Sequence, residues 1–157
     1  IKIAQREALM WGTIQQDAIN FGNILHEIMA FIHTKEDVDL AIQKATELGL
    51  ITFSQHQIFK ETIAKIVNHE ELISFFDADA KVFNEQNIIK KTFKNIKPDR
   101  VVVKDNMAYL LDYKTGEKHN KHKAQLEEYE LALQEMKYTV VKKVLIYIGE
   151  SIEIVTL

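Results

Sequence analysis

Two aspartates and a lysine stand inside the most apolar stretch of the chain. The run PDRVVVKDNMAYLLDYK (98–114) carries Asp99, Asp112 and Lys114 among Val101, Val103, Leu110 and Leu111. Charged side chains in such surroundings are costly unless they find partners. Asp105-Asn106 divides the run as a hairpin turn. Centred there, the hairpin sets Lys104 opposite Met107 and Asp99 opposite Asp112. A four-residue loop over 104–107 keeps that register, whereas a three-residue loop shifts it by one. Directly opposed residues hold their β-carbons roughly 4.5–5.5 Å apart, and two carboxylates that close repel unless a proton or cation lies between them. Strand alternation puts Lys114 on the face of Asp112. An oxygen-rich acidic site of this kind suits Mg²⁺ or Mn²⁺. The alternative is an exposed sheet face with an ordinary Asp–Lys ion pair.

Positioning such a cluster needs elements on both sides of the hairpin. Residues 20–33 place Phe21, Ile24, Leu25, Ile28 and Phe31 or Ile32 on one apolar helical face. Residues 36–48 repeat the pattern and stop at Gly49, and Ser54 is a cap candidate for a helix over 55–68. A short helix follows to Phe76. Near residue 80 the character changes: KVFNEQNIIK, PDRVVVK and MAYLLDYK are β-type runs. A polar helix over 119–136 precedes two more strands, KKVLIYI and SIEIVTL, joined through Gly149-Glu150. The expected fold is α/β (α+β): one mixed central sheet flanked by helices, with a mainly helical part (1–79) and a sheet-and-helix part (80–157) in a single domain.

Four short motifs occur in a fixed order along this framework. These are FGNILHEI, KPDRVV, LLDYKTG and QLEEY, whose motif positions run from Gly22 to Tyr129. In that order, with a strand–strand–helix context, they resemble the RecB-like branch of the PD-(D/E)XK nuclease superfamily, and within it the C-terminal nuclease domains of AddA/RecB-type helicase-nucleases. The resemblance implies a restriction-endonuclease-like core and Mg²⁺-dependent hydrolysis of DNA, exonucleolytic on single strands fed by a helicase, in double-strand-break repair and recombination. It implies His26, Asp99, Asp112 and the backbone carbonyl of Tyr113 as metal ligands. Asp99, Asp112 and Lys114 become the catalytic set, with Lys114 helping to activate water and offset phosphate charge. Gln125 and Tyr129, at i, i+4 on one helical face, would touch DNA or brace Lys114, and Arg100, Lys118 and Lys121 join them as DNA-binding or lysine-positioning candidates. Glu85 is a candidate accessory acid. Lys97-Pro98 stands where many relatives carry Gly, and Pro is tolerated at a strand start. Implied partners are single-stranded DNA, helicase domains of the same parent chain and an AddB/RecC-like subunit, in the bacterial cytoplasm or nucleoid.

The rest of the composition bounds these readings. The chain has 157 residues, 46% apolar, with one Pro and five Gly, which is the material of one globular core. It has no cysteine, which removes thiolate zinc sites, iron–sulfur clusters and Cys nucleophiles. No GxxxxGK[ST] loop is present, so no ATP site is expected in this segment. No long apolar run predicts a membrane span. The missing initial Met fits a domain cut from a longer helicase-nuclease. The net charge of −3 is unlike most non-specific DNA binders, although basic residues gather over 90–104 and 114–123. That charge favours the alternative of a protein-interaction domain whose acidic surface docks a subunit; a non-catalytic DNA-binding module with a nuclease-like fold is the other alternative. His33, His56, His69, His119 and His122 are expected at the surface, with the last two within reach of phosphate. Trp11 is expected in packing, and Gly22 at a close approach of its helix to the sheet or to DNA.

Overall fold

The computed structural model describes residues 2–84, 88–89, 95–149 and 151–157, and the side chains of 16–83, 97–149 and 151–157. Among the described residues, helix α1 (Lys2–Met29) is followed by α2 (Val38–Glu47) and α3 (His56–Val67), with short 3₁₀ turns at Lys35–Asp37, Phe53–Gln55 and Glu70–Phe75. Strands β1 (Lys81–Asn84), β2 (Ile88–Ile89), β3 (Asn95–Ile96), β4 (Arg100–Lys104) and β5 (Met107–Thr115) come next. Helix α4 (Asn120–Glu135) then separates β5 from β6 (Thr139–Ile148) and β7 (Ile152–Thr156).

Among the described residues, five strands form one sheet in the order β1-β4-β5-β6-β7, and β2 and β3 form a separate pair. Every neighbouring pair in the large sheet is antiparallel except β5 and β6, which run parallel across the α4 crossover. A parallel pair requires such a crossover, because the chain must return to the starting edge. The mixed α/β fold expected from the sequence is the one the chain adopts.

Alternation along the strands divides the core into two layers. Val102, Leu111, Tyr113, Val144, Ile146 and Ile148 face Leu25, Ile28 and Ile32 from the N-terminal part together with the buried residues of α2 and α3. Val101, Ala108, Leu110, Leu145 and Tyr147 face Leu126, Tyr129, Ala132 and Leu133 of α4. Gly22 lets α1 lie against the sheet as expected: a β-carbon there would stand 2.3 Å from Thr115 Cγ2. The β4–β5 turn also matches, with Asp105 and Asn106 at φ 51° and 66°, the left-handed pair of a tight two-residue hairpin, and Lys104 opposite Met107. Gly49 ends the second helical segment at φ +76°.

Other boundaries differ. The first helix ends at Met29, not 33, and begins near the start of the chain. Ser54 does not cap α3. Thr52 opens the turn before it, its backbone N–H donating to Gln55 Oε1 at 2.8 Å. The run KVFNEQNIIK holds β1 and the separate β2 in place of one strand. Among the described residues no helix is long and apolar enough to cross a membrane. Glu85 and the side chains of Trp11, Lys90, Lys91 and Lys94 lie outside the described residues.

Candidate active site

The site forms where β4 ends and its pairing with β5 has to be finished by other means. The ladder runs from Lys104↔Met107 to Arg100↔Leu111. Beyond it the chain meets Pro98, which is buried and has no N–H to offer. Two carboxylates supply what the backbone no longer can. Asp112 Oδ1 accepts from the Asp99 backbone N–H at 3.1 Å, and Asp99 Oδ2 accepts from the Tyr113 N–H at 2.8 Å. The two side chains thus meet across the strand pair, in the register that the turn residues dictate. His26 reaches them from α1, the layer on the other side of the sheet: its Nε2 lies 2.7 Å from Asp99 Oδ1, and its ring is 5.6 Å from that of Tyr113.

The electrostatics of the two aspartates diverge. Burial disfavours the charge on Asp99, but hydrogen bonds with His26 and Asp112, the charge of His26 and the Tyr113 N–H outweigh it and hold the carboxyl below its ordinary range. Asp112 has only 2% of its surface exposed. Burial first, and then the neighbouring Asp99, push its pKa up to about 7, with Lys114 opposing. One carboxylate is ionised while the other sits at the edge of neutrality, the expected outcome when like charges share a dry site.

Lys114 is held in a braced chain. Its Nζ lies 2.6 Å from Asp112 Oδ2 and donates to Gln125 Oε1 at 2.5 Å. Gln125 Nε2 donates to the Tyr129 hydroxyl at 2.7 Å, and that hydroxyl donates onward to the Lys97 carbonyl at 3.4 Å. Of the two roles expected for Gln125 and Tyr129, bracing the lysine is the one these contacts perform. Burial and the charges of Asp112, Asp99 and Glu128 raise the Tyr129 pKa, so it stays a neutral hydroxyl.

No family model matches the chain. Over 75 residues, 43% of this chain and 15% of the other protein, it is 35% identical to sporulation-specific protein 77 of Saccharomyces cerevisiae. The chain therefore spans less than a sixth of that curated relative's length, and the likeness assigns no activity.

The donor set is chemically suited to a small divalent cation. His26 Nε2, the carboxylates of Asp99 and Asp112 and the Tyr113 carbonyl are one nitrogen and otherwise oxygens, and the raised Asp112 pKa marks a place where positive charge is favourable. Among the described residues, however, no three His, Asp or Glu side chains stand at metal-ligating spacing. The charged groups are closed on one another as His26–Asp99 and Lys114–Asp112. A cation at these residues would take the place of the proton shared between His26 and Asp99.

The remaining candidates separate clearly. Arg100 was expected to meet DNA or position the lysine, and it does neither. It has no exposed surface and donates to the carbonyls of Phe75 at 2.9 Å, Ile32 at 2.5 Å and His33 at 2.6 Å. Adjacent strand residues point to opposite faces, so Asp99 and Arg100 serve different layers. Lys118 is exposed and pairs with Glu153, and Lys121 is exposed at the start of α4.

Four of the five histidines expected at the surface have partners. His56 Nε2 lies 2.6 Å from the Thr46 hydroxyl. His69 and His119 Nδ1 each accept a backbone N–H at the start of a helical segment. His122 is half-buried, with Nδ1 3.0 Å from the Tyr147 hydroxyl. Tyr147 was not singled out in the sequence. The signal that could have found the pair is that His122 lies three residues before Gln125, and so on the same face of α4.

Proposed function

We propose that this domain is a divalent-cation-dependent DNA nuclease of the PD-(D/E)XK type, hydrolysing phosphodiesters of single-stranded DNA. The observation that carries the reading is the meeting of Asp99 and Asp112 from adjacent strands, with Lys114 on one carboxylate and His26 on the other. His26, Asp99, Asp112 and the Tyr113 carbonyl would hold Mg²⁺ or Mn²⁺. The cation's chemistry is to lower the pKa of a water and to polarise a phosphoryl oxygen. The chain's own contributions follow from its geometry. Asp112, near neutrality by itself, would hold the cation through its carboxylate. Lys114, held by Gln125 as well as Asp112, would keep a positive charge beside the carboxylates where phosphate charge develops. Tyr129 and the Lys97 carbonyl fix Gln125 and so limit how far the ammonium strays.

The closed His26–Asp99 and Lys114–Asp112 pairs favour a second reading, a DNA-holding or subunit-docking module that keeps this fold without turnover. End-labelled single-stranded DNA incubated with the domain and Mg²⁺ or Mn²⁺, beside EDTA and Asp112→Ala, separates the two. Metal-dependent degradation that Asp112→Ala lacks is the expected result. Folded wild-type protein that binds the metal and the DNA but leaves it intact would overturn the catalytic reading in favour of the second. Full activity of Asp112→Ala would remove the proposed site.

A further inference from the structure

Beside the Lys114–Gln125 contact runs a second one of the same build. Lys114 and Tyr147 are register partners on β5 and β6, about 4.8 Å apart in the hydrogen-bonding direction. Gln125 and His122 lie three residues apart on α4, and so on one face. Lys114 reaches α4 at Gln125, and Tyr147 reaches α4 at His122. The two contacts are thus parallel rungs between sheet and helix, the first ending on the acidic pair and the second lying on the far side of Lys114 from it.

The second rung differs in chemistry. Tyr147 is buried, with 8% of its surface exposed, and its hydroxyl lies against His122 Nδ1 at 3.0 Å. The Lys118 ammonium lies 5.8 Å from the Tyr147 ring centre, and the His119 ring is 6.2 Å from that of His122. Burial and the neighbouring charges of Lys114, His119 and Lys121 lower the His122 pKa, which favours the neutral ring. In the tautomer in which the Tyr147 hydroxyl donates to Nδ1, a neutral His122 carries its own proton on Nε2. Among the described residues none is hydrogen-bonded to Nε2. In that tautomer the pair presents one oriented N–H, near Lys114 and Lys121 and beside a Lys118 that is itself paired with Glu153, the register partner of Tyr147.

We infer that His122, held by Tyr147, binds a non-bridging phosphate oxygen of the nucleotide next to the one placed at Lys114, and so positions the strand along β5 and β6. The inference rests on the nuclease reading for its substrate. It makes His122 a positioning residue and Tyr147 the group that sets its tautomer. One hydrogen bond to a charged phosphate corresponds to a change of roughly tenfold or more in affinity.

The test is fluorescence anisotropy of a labelled oligodeoxythymidylate on protein carrying Asp112→Asn, so that binding is read without cleavage. His122→Ala and Tyr147→Phe are each expected to weaken binding roughly tenfold. His122→Gln, which keeps an N–H donor, is expected to recover most of that loss. A methylphosphonate oligonucleotide, lacking the phosphate charge, is expected to bind all variants alike. In the cleavage assay the same substitutions raise KM and leave kcat within about twofold. Unchanged binding by His122→Ala overturns the inference whether or not the domain cleaves DNA, as does a loss confined to kcat. Weakened binding with Gln rescue, in a wild-type domain that does not cleave, would leave this site standing while removing the nuclease reading.

Discussion

Removing the charge of Asp112 while keeping its shape should make the domain less sensitive to pH and more stable in mild base. The Asp112 carboxyl titrates near 7 in the fold against an ordinary 3.8 in an unfolded chain. Below 3.8 both states hold the proton and the contribution is at its most favourable. As pH rises the unfolded chain ionises first, and stability falls until the folded carboxyl also ionises near 7. Moving the pKa that far corresponds to at most about 4 kcal/mol, of which roughly 3 kcal/mol is lost between pH 5 and pH 8. Asp99 is shifted the other way, so its contribution changes only in more acid solution. His122, with a lowered pKa, gains stability as pH rises through this window, but it does so equally in both proteins. Urea denaturation at pH 5 and pH 8 in EDTA, for wild type and Asp112→Asn, isolates the carboxyl. The difference in unfolding free energy between the two proteins should move by roughly 3 kcal/mol in favour of the variant as pH rises. Equal pH slopes would refute the burial and pairing assigned to Asp112. A metal-binding site adds a second expectation: saturating Mg²⁺ at pH 8 stabilises wild type by mass action, about 2.7 kcal/mol at a hundredfold excess over Kd, and stabilises the variant less.

Two further substitutions test how the site is held. Arg100→Lys leaves the carbonyls of Ile32, His33 and Phe75 competing for one flexible ammonium and loses the guanidinium packed 4.3 Å from the Phe76 ring centre. It should cost about 2–4 kcal/mol in chemical denaturation, and a cost below about 0.5 kcal/mol, the level of a surface change, would mean the three bonds contribute nothing. Gly22→Ala drives a methyl to 2.3 Å from Thr115 Cγ2 and should cost about 1–3 kcal/mol. Thr115→Ser removes that methyl, so the double variant should recover at least half of the loss, and simple additivity of the two changes would show that the contact is not the cause.

The parts of this arrangement legible in the sequence are those set by local rules. Asp105-Asn106 specifies a turn with two left-handed residues, and the turn specifies the register that brings Asp99 and Asp112 together. The i, i+4 spacing of Gln125 and Tyr129 likewise makes their mutual hydrogen bond readable. Arg100 was misread by weighing its neighbour above its parity: an odd–even step along β4 turns it away from the face of Asp99, and its partners at Ile32 and His33 lie in a distant part of the chain. The Tyr147–His122 contact was out of reach for another reason. It depends on the parallel register of β5 and β6, which shifts between Ala108 and Tyr109, and no turn residue records a register made through a helical crossover. The early stop of α1 reflects competition of the same kind, since Ile32 stays fully buried outside the helix while its carbonyl is given to Arg100.

The non-local contacts also explain how a histidine from one layer serves carboxylates that belong to the other. On one side of His26, Gly22 admits the sheet so closely that no side chain fits against Thr115, at the end of β5. On the other side, Arg100 draws the carbonyls of Ile32 and His33 to the start of β4. The stretch from 22 to 33 is thereby fixed at both ends against the two strands that carry Asp99 and Asp112, with the buried Leu25, Ile28 and Met29 between. His26 has little freedom in that span except at its ring, which meets Asp99. Arg100 therefore helps to position the site, although its guanidinium faces the opposite layer. Its adjacency to Asp99 in the sequence then has a physical meaning: one residue turns to the acidic pair, and the next anchors the segment that brings the histidine to it.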